Sequence, residues 1–150
     1  MSFVNIWTHV VWSTKYRLPY LIKDIRTKLI YHIIENADIK GYHINFINGY
    51  NDHLHLLISI NPTQTISEIV HQIKGESSRW INEKKLTDMK FEWQSEYYAV
   101  SVSAKEVDEL RKYIKYQEEH HKNISFDDEI IELIKWNNII STGFKPSANE

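Results

Sequence analysis

The sequence predicts an α+β fold, a split βαβ antiparallel sheet with helices on one face and further helices at the C-terminus. Two observations carry this. Segments with period-2 alternation and segments with period-3.6 apolar spacing follow one another in the order strand, helix, strand, strand, helix, strand, helix. Proline, glycine or a Ser/Thr capping signal separates most of them. At 150 residues and 42% hydrophobic content the chain is long enough for one core and too short to need two, so a single domain over 1–150 is expected.

Residues 3–12 are rich in β-branched and aromatic side chains and read as the first strand, ending near Ser13-Thr14-Lys15. After Pro19, the stretch from about Lys23 to Asp38 places Ile25, Leu29, Ile33 and Ile34 at helical spacing, and Gly41 follows where a helix commonly stops. Tyr42 to Ile47 alternates, residues 48–52 supply a turn, and His53 to Ile60 alternates again, which makes a β-hairpin. Thr65-Ile66-Ser67-Glu68 has the form of a capping box ahead of Ile66, Ile69, Val70 and Ile73, so a second helix runs to about Lys84. Phe91 to Gln94 and Tyr97 to Ser103 read as two further strands. A second capping box, Ser103 to Glu106, precedes Val107, Leu110 and Ile114, and Ser125 opens a last short helix through Ile130, Ile131, Leu133 and Ile134. The polar tail from Ser141 to Glu150 is expected to fray. This order of elements fits a ferredoxin-like sandwich with C-terminal additions.

Composition narrows the function classes. No run approaches the roughly 20 apolar residues of a membrane span, and no secretory leader is legible at the N-terminus. The absence of cysteine excludes disulfides and thiolate metal sites, and a cytoplasmic location fits. The net charge of −2 opposes a whole-surface nucleic-acid footprint, yet Lys15-Tyr16-Arg17 and Lys74 with Arg79 are local basic points beside aromatics, while Asp127-Asp128-Glu129 and Glu132 gather acidity near the C-terminus.

Two short motifs carry chemistry. In Asp52-His53-Leu54-His55 the strand period puts both imidazoles on one face, where they can hold one metal ion, although paired strand histidines are more often surface residues. In Tyr113-Ile114-Lys115-Tyr116-Gln117 a continuous helix would set Tyr113 about 40° from Gln117 and Tyr116 about 100° from it, which makes Tyr113 the better nucleophile. Alone, Tyr113 reads better as a half-buried core aromatic, the commonest fate of helix tyrosines. A metal site beside a fixed phenol is equipment for attack on a phosphodiester.

In chain order these motifs resemble the HUH-type single-tyrosine transposases of small bacterial insertion sequences and their repeat-associated relatives. Val11-Trp12-Ser13-Thr14-Lys15-Tyr16-Arg17 with Pro19, His53-Leu54-His55, Lys74-Gly75-Glu76-Ser77-Ser78-Arg79, Phe91-Glu92-Trp93-Gln94 and Tyr113 through His121 are similar to that family's ordered signatures. One departure is clear: Glu96-Tyr97-Tyr98-Ala99-Val100-Ser101 stands where many relatives carry a glycine-containing run. The resemblance implies cleavage and rejoining of single-stranded DNA through a covalent 5′-phosphotyrosine at Tyr113, with Mg²⁺ or Mn²⁺ held by His53, His55 and Gln117. It also implies hairpin-ended DNA as partner, and an obligate homodimer in which each tyrosine helix is able to complete the other chain's histidine site. Lys15, Arg17, Lys74 and Arg79 are the candidate DNA contacts. His120 and His121 read either as DNA contacts or as a solvated helix end. A catalytically silent hairpin-binding protein, a water-using phosphodiesterase and a structural dimer are the competing classes.

Overall fold

The computed structural model describes residues 2–137; the expected frayed tail at 141–150 lies outside them. Four strands, β1 (Ile6–Ser13), β2 (His43–Gly49), β3 (His53–Ile60) and β4 (Tyr98–Val102), form one antiparallel sheet in the order β2-β3-β1-β4. Helices α1 (Lys23–Ile39) and α2 (Ile66–Glu83) connect β1 to β2 and β3 to β4, which is the split βαβ arrangement expected from the sequence.

Alternation along β1 and β3 divides the sheet into two apolar faces. Val10, Trp12, Leu54, Leu56 and Ile58 meet Leu29 and Ile33 of α1 and Ile69, Val70 and Ile73 of α2, and this layer is the main core. The opposite face carries His9, Val11, His53, His55 and Leu57. It is covered by α3 (Val107–Lys115), α4 (Gln117–His120) and α5 (Phe126–Trp136), so the C-terminal helices enclose the second face of the sheet. Phe126 packs on Val11 and Tyr98, while Leu57 packs on Val107 and Ile114. Because both faces are covered, β3 is buried at its first six positions, which are apolar except for the two histidines.

The capping signals hold at α2 and α5. The Thr65 hydroxyl accepts from the Glu68 N–H at 3.2 Å, and the Ser125 hydroxyl accepts from Asp128 N–H at 3.2 Å. Ser103 behaves differently: residues 104–106 form a 3₁₀ turn, the Ser103 hydroxyl donates to the Glu106 carboxylate at 2.8 Å, and α3 starts only at Val107.

Two expected elements are corrected. Phe91 to Gln94 is not a strand. It makes a single bridge, Thr14 to Trp93, at the end of β1, because the Asn82 side chain takes up the Phe91 N–H at 2.8 Å and the Phe91 carbonyl at 3.0 Å. An amide on α2 thus replaces a strand neighbour. The helix expected to carry both Tyr113 and Gln117 is not continuous either: the backbone leaves helical geometry at Tyr116 (φ −99°, ψ 29°) and divides it into α3 and α4. Among the described residues no helix is long and apolar enough to cross a membrane.

Candidate active site on the second sheet face

The hairpin between β2 and β3 sets the position of the two histidines. A Cβ on Gly49 would lie 2.1 Å from the His53 carbonyl oxygen, so this close crossing tolerates no side chain. Register then places Asn48 opposite His55 on one side and Val11 opposite it on the other, with Ser13 opposite His53. Both imidazoles project from the face covered by α3 to α5, and both are fully buried.

The break at Tyr116 aims Gln117, the third of the expected ligands. It strands the carbonyls of Ile114 and Lys115, and the Asn48 side-chain amide donates to both at 3.1 Å. Fully buried Gln117 begins α4, and Arg26, buried in α1, ties this helix down through an ion pair with Glu118 and a 2.8 Å bond to the Leu21 carbonyl. The Gln117 side-chain oxygen then lies 2.9 Å from His53 Nε2. Thus the structure brings His53, His55 and Gln117 together, although the angular argument from an unbroken helix does not apply. Tyr113 sits one turn earlier with its ring 5.7 Å from that of His55, and its hydroxyl donates to Glu129. Tyr116 is 55% exposed and stands apart from this group.

Sequence reasoning missed Glu129 and His9, and left His120 and His121 between a DNA contact and a solvated helix end. Glu129 of α5, fully buried, places Oε1 at 3.1 Å from His55 Nε2, 3.2 Å from His53 Nε2 and 3.0 Å from His121 Nε2, while its Oε2 accepts from Gln117 at 2.9 Å. His121 is therefore part of the cluster, with Nδ1 donating to the Ile124 carbonyl at 2.8 Å. His120 lies 3.6 Å from Glu129. Buried His9 on β1 has Nε2 2.9 Å from His55 Nδ1. Signals for two of these were present. Glu129 falls three residues after Phe126 and four before Leu133, on the apolar stripe of α5, and His9 occupies the same strand face as Val11.

Electrostatics follow from burial. Desolvation, with His55 alongside, pulls His9 down to about 3, and desolvation pulls His55 down to about 4. At His53 desolvation also acts downward, but the hydrogen bonds with Asp52 and Glu129 outweigh it and the pKa is raised. Burial acts to raise Glu129, yet bonds from His121, His53 and His55 outweigh it and hold the carboxyl far below the usual range. Burial and the Glu129 charge push the Tyr113 phenol upward, so it stays protonated in this arrangement.

The four basic candidates divide. Lys15, Lys74 and Arg79 line one cleft of about 900 Å³ with Tyr16, Trp93 and Tyr97. There Lys15 pairs with Glu92 at 3.1 Å, Lys74 donates to the Gln94 carbonyl, and Arg79 lies 3.8 Å from Glu76. Arg17 turns away to α5, pairing with Asp127 at 2.9 Å and lying 5.4 Å from the Phe126 ring centre.

Comparison with known proteins agrees with this architecture. A family model described as "Transposase IS200 like" matches residues 2–117. The chain is 28% identical over 114 residues to the ISDra2 transposase TnpA of Deinococcus radiodurans, covering 73% of this chain and 81% of that one. It is 27% identical over 119 residues to the transposase for insertion sequence element IS200 of Salmonella typhimurium, covering 76% and 78%. A solved REP-associated tyrosine transposase bound to a REP hairpin superposes with a TM-score of 0.62 at 14% identity, covering 100% of this chain and 94% of that one. With more than half of its length matched by the family model, this chain belongs to the IS200-like transposases.

Proposed function

We propose that this chain cuts and rejoins single-stranded DNA at insertion-sequence ends, with Tyr113 as the nucleophile and His53, His55 and Gln117 holding a divalent ion, Mg²⁺ or Mn²⁺. The observation that carries the reading is the convergence of the Tyr113 hydroxyl, the Gln117 carboxamide and both imidazoles on one buried point of one chain. Two imidazoles and one amide oxygen are a mixed nitrogen and oxygen donor set that fits such an ion. When bound, the ion supplies charge neutralisation at a phosphate oxygen.

The protein's own groups account for the rest. Leu110, Ile114 and the neighbouring apolar side chains fix the Tyr113 ring, which limits the directions from which its oxygen can approach phosphorus. In cleavage a bond forms between the Tyr113 oxygen and phosphorus, the bond from phosphorus to the 3′ oxygen breaks, and the phenolic proton is carried, in net terms, by the departing 3′ hydroxyl. Attack by a 3′ hydroxyl on the phosphotyrosine reverses the step and joins strands. No external energy source is required.

Hairpin-ended DNA would lie along the cleft lined by Lys15, Lys74 and Arg79, where aromatic side chains offer stacking surfaces. A homodimer, which the family resemblance implies, would carry one whole site in each chain. The test is incubation with single-stranded oligonucleotides from the flanking DNA plus Mn²⁺, followed by a denaturing gel. A protein-linked strand that disappears in Tyr113→Phe is expected. Binding without any adduct would leave the silent hairpin-binding reading in its place.

A further inference from the structure

The cluster around His53 contains more acceptors than neutral imidazoles can pair. The Nδ1 of His53 faces the Asp52 carboxylate at 2.8 Å, and the Nδ1 of His121 faces the Ile124 carbonyl at 2.8 Å. Both partners only accept, so both Nδ1 atoms carry hydrogen, and in a neutral ring each Nε2 would be a bare lone pair aimed at Glu129 Oε1, 3.2 Å and 3.0 Å away. Gln117 repeats the pattern. Its amide nitrogen donates to Glu129 Oε2 at 2.9 Å, which fixes the flip and turns its oxygen toward the His53 lone pair at 2.9 Å. Lone pairs facing lone pairs at these separations require positive charge between them, either protons or a metal ion. Separations near 3 Å are also those of adjacent ligands around a six-coordinate ion with bonds of about 2.1 Å.

We infer that Glu129 is itself a ligand of the divalent ion, completing His53, His55 and Gln117 from α5 of the same chain. This rests on the ion site proposed above and adds the anionic donor that site lacks. A neutral set of two imidazoles and an amide holds a hard cation weakly, whereas a carboxylate supplies the charge Mg²⁺ and Mn²⁺ favour. Burial points the same way: Glu129 is fully enclosed, and His53, His55 and Glu129 offer donor atoms within 4.8 Å of one another. Glu129 also lies beyond the segment that the family model matches, which ends at residue 117.

Mn²⁺ titration of the full chain by calorimetry tests this. Glu129→Gln, nearly equal in shape, should weaken Mn²⁺ binding ten-fold or more, and His55→Ala should weaken it at least as far. Binding abolished in His55→Ala but within two-fold of wild type in Glu129→Gln overturns the inference alone and assigns the carboxylate to imidazolium protons. Wild-type protein that binds no Mn²⁺, or binds it unchanged in His55→Ala, overturns the ion site and the inference with it. Should Glu129→Gln fail to fold, wild-type protein labelled with ¹³C at glutamate carboxylates decides the point. Electron-nuclear double resonance of bound Mn²⁺ should then show coupling to one carboxylate carbon, and its absence overturns the assignment.

Discussion

The Asn48 side-chain amide on β2 donates to the carbonyl of Ile114 on α3 at 3.1 Å, and reaches the next carbonyl, that of Lys115, at the same distance. A sheet residue thereby satisfies the two acceptors stranded where the helix breaks. Because Asn48 also stands opposite His55 in the ladder, one side chain joins the position of the histidines to that of Tyr113 and Gln117. Asn48→Ala should cost about 1–3 kcal/mol of stability, as expected when two hydrogen bonds are removed, and should lower covalent DNA attachment far more than DNA binding. Denaturant melts and adduct assays on the same preparation check both halves.

Tyr113→Phe should abolish attachment and leave binding nearly unchanged, since it deletes one hydroxyl that is bonded to Glu129. Tyr116→Phe should retain attachment, because that ring is mostly exposed and outside the cluster. Loss of the adduct in Tyr116→Phe alone would assign the nucleophile to the wrong side of the helix break.

The basic candidates should separate in salt titrations. Lys15 and Arg79 line the aromatic cleft, so replacing each by alanine should flatten the dependence of log affinity on log salt by about 0.7 for each phosphate that is no longer neutralised. Arg17 is engaged with Asp127 and Phe126, so Arg17→Ala should chiefly lower thermal stability. An equal change of slope in all three variants would place Arg17 on the DNA as well.

Acid should destabilise the ion-free fold through His9. Its folded pKa, about 3, lies below the 6.5 of the unfolded chain, so its contribution is fully present above pH 6.5 and is lost as pH falls toward 3. The unfolded state takes up the proton first, at about 1.4 kcal/mol per pH unit. His55, also pulled down, adds to the same window, whereas His53, raised, acts in the opposite direction and only above pH 6.5. His9→Gln should therefore show a stability curve between pH 6 and 4 that is shallower than wild type by about one proton. Parallel curves would mean that His9 titrates normally in the folded chain.

Much of this is legible in the sequence, and the exceptions have physical causes. Strand alternation places His53 and His55 on one face because a period of 2 leaves no other option, and the cap at Thr65 locates α2 within a residue. The break at Tyr116 is not legible, since Tyr, Lys and Gln carry no helix-stopping preference and the donor that satisfies its free carbonyls is Asn48, 67 residues away from Lys115 in the chain. Phe91 to Gln94 reads as a strand by composition, but it makes only one bridge to the end of β1, and Phe91 is bonded instead to a side chain of α2. Glu129 reads with Asp127 and Asp128 as an acidic cluster; only its place on the apolar stripe of α5 separates it from them, and burial of that stripe depends on the sheet face it meets.

Mixing defective chains tests whether sites are shared. Tyr113 and Gln117 reach His53 and His55 of their own chain, with α3 and α4 held there by Asn48 and Arg26. A His55→Ala chain then lacks a histidine beside an intact tyrosine, and a Tyr113→Phe chain lacks the tyrosine beside intact histidines. Every site built within one chain then keeps one defect in a mixture. Co-expressed, differently tagged chains purified together should give no covalent attachment to labelled single-stranded DNA. Recovery toward half of wild-type activity would require the helix to swing to a partner, because only exchange places both lesions in one site and leaves its mate whole. The same exchange would have to break the Asn48 bonds to Ile114 and Lys115, so recovery that is enhanced by Asn48→Ala would identify that contact as the latch.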